Sequence, residues 1–108
     1  MKMYILVKDT VPDKLVPVIT AHASLACYKK FENNEQMIQW INGIFRKVVC
    51  VVDEPAFEKF KEEQDYVLLT ESALDNLEVC LAFCPREEYP KKFQFLKMWS
   101  PQNKKESI

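Results

Sequence analysis

The sequence predicts an α/β domain of three layers, a mixed four-stranded sheet with helices on both faces. Three observations predict it. Short apolar runs rich in Val, Ile and Leu recur at residues 2–8, 47–52, 66–70 and 77–84, and each has the length and β-branched content of a strand. Segments of helical period separate the first three runs, as parallel crossovers require. The last two runs are close enough to pair as an antiparallel hairpin. The chain has 108 residues, enough for one domain and too few for two. That domain is expected over residues 1–99, with a polar, frayed tail over 100–108.

The run KMYILVK at 2–8 is flanked by charges and reads as a buried strand; DTVPD at 9–13 turns the chain. Residues 14–31 read as a helix. Leu15, Val18, Ile19, His22, Leu25 and Ala26 fall on one helical face, Asp13 is placed to cap the start, and Pro17 fits only the first turn. ENNE at 32–35 breaks the pattern. A short second helix follows through Met37, Ile38, Trp40, Ile41 and Ile44, stopped near Asn42 and Gly43. KVVCVV at 47–52 is the clearest strand. Asp53 then caps a third helix, with Pro55 in its first turn. YVLLT at 66–70 and LEVCLAFC at 77–84 are the last two strands, joined through a turn at 73–76. A final helix is expected over 87–98, with Pro90 in its first turn.

Composition narrows the function classes. Apolar residues make up 48% and charged residues 29%, with a formal net charge of −1, so the chain as a whole lacks the basic footprint of a nucleic-acid binder. Local basic clusters remain at Lys29, Lys30, Arg46 and Lys47, which suit either phosphate contact or a solvated face. There is one glycine, too few for a glycine-rich phosphate loop, and no cofactor is called for. Cys27, Cys50, Cys80 and Cys84 include no CxxC pair. On a strand, Cys80 and Cys84 would stand about 13 Å apart, beyond the reach of a disulfide, so all four read as buried small hydrophobes. No run has the length of a membrane span or of a secretory leader, and a reduced, cytoplasmic setting is the expectation.

Several residues could carry chemistry, and each has two readings. His22, the one histidine, is either a proton-transfer group or a helix histidine bonded to backbone. Lys14 sits at a helix start, where a cation is unfavourable for the dipole but well placed for an anion; it is otherwise a solvated lysine. Asp65 is a carboxylate candidate or a turn residue before a strand. Thr70 and Ser72 flank a strand-end loop, where sites often lie. Trp40 and Trp99 suit core packing, base stacking or contacts in a homodimer.

Three stretches resemble the type 2 peptidyl-tRNA hydrolase family, over about residues 2–99. They are KMYILVK followed by AHASLACYK at 21–29, then FRKVVCVVDEPAFEKF at 45–60, then LLTESALDNLEVCLAFCPREEYPKKFQFLKMW at 68–99. The second and third look closest to the divergent peptidyl-tRNA hydrolase domain-containing branch. The resemblance implies a peptidyl-tRNA hydrolase type 2-like fold and hydrolysis of the ester joining a peptide to the tRNA 3′ end, with tRNA or peptidyl-tRNA as partner. His22 matches the family's helix histidine and Thr70 its threonine. Lys14 lies one position from the family's lysine. The family's acidic position falls on Tyr66, with Asp65 the nearest carboxylate, and the adjacent family glycine has no counterpart. On this resemblance water attacks the ester, His22 assists by proton transfer, Thr70 stabilises the oxyanion, Lys14 holds a phosphate and Asp65 orients a partner. The alternative is a binding module that keeps the fold without turnover.

Overall fold

The computed structural model describes residues 1–102; of the tail predicted at 100–108, residues 103–108 lie outside the described residues. The chain folds as one α/β layer structure around a mixed five-stranded sheet in the order β3-β4-β1-β2-β5. The strands are β1 (Met3–Lys8), β2 (Lys47–Val52), β3 (Tyr66–Glu71), β4 (Leu77–Phe83) and β5 (Lys97–Met98). The helices are α1 (Val16–Lys30), α2 (Glu35–Ile41) and α3 (Glu54–Phe60). Among the described residues no helix is long and apolar enough to cross a membrane.

β1 is central. It pairs parallel with β2 from Met3↔Lys47 to Lys8↔Val52 and antiparallel with β4. Strand alternation sends Met3, Ile5 and Val7 to one face and Tyr4 and Leu6 to the other, which is why this run is apolar without interruption. α1 and α2 cover the first face through Val16, Ile19, Ala23, Cys27, Met37 and Trp40. α3 covers the second through Phe57 and Phe60, joined by Phe93.

The caps follow local chemistry. Asp53 accepts the Ala56 N–H at 2.9 Å at the start of α3, and Asn34 accepts the N–H groups of Gln36 and Met37 at the start of α2. Asp13 does not cap α1. A 3-10 turn over Asp13–Leu15 precedes that helix, Leu15 stands at its cap position with no side-chain bond, and the Asp13 carboxylate accepts the Gln102 N–H.

Two further expectations are corrected. The buried face of α1 is Val16, Ile19, Ala23 and Cys27, while Val18 and Leu25 are 53% and 61% exposed. Both sets have helical spacing, and the set with small residues wins because it lets the helix lie close on the sheet. The second correction is the final helix. Residues 87–98 form a 3-10 turn over Lys91–Phe95 and then β5, so the sheet expected to have four strands has five. Pro90 removes a helical donor, and the Tyr89 hydroxyl is tied to the carbonyls of Cys84 (2.6 Å) and Lys2 (3.0 Å). Phe93 is drawn into a ring cluster with Tyr4, Phe60 and Phe83. The extended chain beyond it satisfies the open edge of β2, through Cys50↔Met98, Val51↔Lys97 and the Trp99 N–H to the Val49 carbonyl.

With so little glycine, left-handed turns use other residues. Asp75 and Asn76 have φ of 57° and 60° in the β3–β4 hairpin, after a 3-10 turn at Ser72–Leu74. Both types tolerate this region through their short polar side chains. Asp65 (φ 58°) and Phe45 (φ 35°) also have positive φ.

Candidate functional site

β3 is an edge strand, and α1 lies along it on the first face of the sheet. Between them opens a groove of about 350 Å³, lined by Ile19, His22, Leu25, Ala26 and Lys29 from the helix and by Leu69, Thr70 and Glu71 from the strand. The helical set has the three- and four-residue spacing of a single face. The strand set needs another cause, because consecutive strand residues point to opposite faces. The register shifts between Leu69 and Thr70 because Val79 of β4 is the extra residue; β3 keeps its alternation and borders the groove along its open side as the edge strand.

The groove is apolar along Ile19, Leu25, Ala26 and Leu69 and carries polar groups above them. His22 and Lys29 are exposed on the helix, and Lys29 lies in the last turn, where the dipole favours a cation. Thr70 is exposed across the groove. The carboxylate of Glu71 accepts the Ala73 N–H at 3.1 Å and is thereby fixed at the hairpin end.

His22 and Thr70 therefore share one groove. Lys14 and Asp65 do not line it. Lys14 is exposed in the 3-10 turn before α1, eight positions before His22, or about 12 Å at helical rise. Asp65 stands just before β3, at the end of the strand away from Thr70, about 16 Å at strand rise. Its left-handed backbone and the bond from the Cys84 N–H to its carbonyl at 2.8 Å make it a turn residue.

The basic cluster divides. Lys29 borders the groove, and Lys30 donates to the Tyr66 carbonyl at 2.9 Å. Arg46 and Lys47 lie at the start of β2, three strand spacings from β3, roughly 14 Å across the sheet. Sequence reasoning missed Glu71 and placed Leu25 in the core. The position of Glu71 directly after Thr70 at a strand end was the available signal.

The cysteines are free and buried. Burial is the largest cause that pushes the Cys27 thiol up to about 12, and those of Cys50 and Cys84 up to about 11. Neutral buried thiols are poor nucleophiles. Among the described residues no group of three or more His, Cys, Asp or Glu side chains is arranged to hold a metal ion. The chemistry-bearing set is thus His22, Thr70, Lys29 and Glu71, and it can transfer a proton, donate a hydroxyl hydrogen bond and hold an anion. No protein-family model matches the chain, and no curated protein matches it.

Proposed function

We propose that the chain hydrolyses the ester between a peptide and the 3′ end of tRNA, in the groove between α1 and β3. One observation supports this reading above the others: His22 and Thr70, distant in the chain, line the same open groove. They are also the two positions that match the histidine and threonine of the type 2 peptidyl-tRNA hydrolases.

The reaction follows from the groups present. Water attacks the ester carbonyl while the His22 imidazole takes its proton. The Thr70 hydroxyl donates a hydrogen bond to the carbonyl oxygen as it becomes an oxyanion. The imidazolium then returns the proton to the departing 3′ oxygen, releasing the peptide acid and the tRNA hydroxyl. The apolar floor of Ile19, Leu25, Ala26 and Leu69 takes the acyl side chain. Lys29, rather than Lys14, is the cation at the groove and holds the phosphate next to the ester.

A second reading, a binding module without turnover, is favoured by one observation. The resemblance places the family's acidic position on Tyr66, and the nearest carboxylate, Asp65, lies at the end of β3 opposite Thr70. Release of labelled peptide from peptidyl-tRNA separates the two. Turnover that disappears in His22→Ala supports the hydrolase; binding without release supports the module.

A further inference from the structure

We infer that the loop between α2 and β2 is a nucleotide-binding site, built to stack a base on Phe45 and hold its phosphate on Arg46. The first observation is backbone strain. Phe45 has φ of 35°, a region that bulky residues rarely occupy, whereas the one glycine of the loop, Gly43, lies two positions earlier outside that region. Strained backbone persists where its surroundings hold it, and it concentrates at sites of function.

The surroundings do hold it. The Lys47 ammonium donates to the Phe45 carbonyl at 2.8 Å and lies 4.8 Å from the ring centre. The Trp40 indole meets the ring edge-on at 6.0 Å, and its N–H donates to the Arg46 carbonyl at 2.8 Å. The aromatic ring is left open to solvent: Phe45 is 48% exposed, beside Ile44 at 74%.

A cavity of about 280 Å³ opens beside this ring, lined among others by Gln39, Trp40, Ile44, Phe45 and Arg46, with no carboxylate in its lining. Each wall has a matching part in a nucleotide. An exposed ring stacks on a base of any sequence. The Gln39 amide can both donate to and accept from a base edge. The Arg46 guanidinium forms a fork that fits phosphate. The volume is near the small end for ligand sites and suits one nucleotide unit. This cavity shares no residue with the α1–β3 groove, so the inference does not depend on turnover there.

The test is a fluorescence titration with AMP, adenosine, inorganic phosphate and a short single-stranded oligoribonucleotide, using the emission of Trp40 and a Trp40→Phe control. The expected result is saturable quenching by AMP, by the oligonucleotide or by both, absent in the control and weak with adenosine or phosphate alone. A preference for AMP identifies a free nucleotide as the ligand, and a preference for the oligonucleotide identifies a unit of an RNA strand. Phe45→Gly relieves the left-handed strain and should stay folded while affinity falls on the order of tenfold or more. Arg46→Gln should remove the advantage of AMP over adenosine. Absence of saturable quenching by every probe in folded protein, or equal affinity in Phe45→Gly and the parent chain, would overturn the inference.

Discussion

The Lys30 ammonium donates a hydrogen bond to the Tyr66 carbonyl at 2.9 Å, tying the last residue of α1 to the first residue of β3. This contact covers an acceptor on an open sheet edge, where an unpaired strand would template association. Lys30→Met is expected to lower stability by up to about 1 kcal/mol, since the bond is exposed, and to increase self-association. Denaturant unfolding and light scattering measure the two effects.

The aromatic cluster on the second face carries more. Phe93 is 2% exposed and its ring centre lies within 5.2 Å of those of Tyr4, Phe60, Phe83 and Tyr89. Phe93→Ala is expected to cost about 3–5 kcal/mol. It should also loosen β5, because the same turn delivers residues 97–99 to the β2 edge. Hydrogen exchange at the Trp99 amide, bonded to Val49, reports that loosening.

Much of this architecture is legible in the residues, and the reasons for the rest are physical. β2 and α3 carry strong local signals, a β-branched run and an Asp-Glu-Pro start, and they form where those signals place them. The end of the chain does not, because Tyr89, Phe93 and the unsatisfied β2 edge are tertiary partners that local pattern cannot show. α1 carries apolar residues on two faces, so periodicity alone fits either. His22 and Thr70 are each readable as candidates. Their meeting depends on β3 lying at the sheet edge beside α1, a tertiary placement that leaves no mark in composition. The left-handed Phe45 has no sequence signal at all.

The buried thiols predict alkaline sensitivity. In the unfolded chain they ionise near their ordinary value of 9.0, whereas in the fold Cys50 and Cys84 hold their protons to about 11 and Cys27 to about 12. Between these limits the unfolded state binds fewer protons, so stability is full below pH 9 and falls as pH rises toward 11–12. Each thiol contributes up to about 1.4 kcal/mol per pH unit in that window. Tyr89, also pushed up mainly by burial, acts in the same direction. Urea midpoints measured across this range should fall steeply, and Cys27→Ala should make the fall shallower.

The cap on α3 offers a smaller, cleaner change. Asp53→Ala removes the acceptor for the Ala56 N–H and is expected to cost about 1 kcal/mol, read as a shift in the thermal midpoint. Asp53→Asn, which keeps an acceptor oxygen, should recover most of the loss.

The most direct measurement of the central claim is peptide release from a labelled peptidyl-tRNA by the purified chain, with His22→Ala, Thr70→Ala and Lys29→Ala alongside. The expected result is turnover by the parent chain, its loss on the order of 100-fold or more in His22→Ala, a comparable fall in Thr70→Ala, and a raised KM in Lys29→Ala. Absence of release by folded parent chain, or release undiminished in His22→Ala, would contradict it.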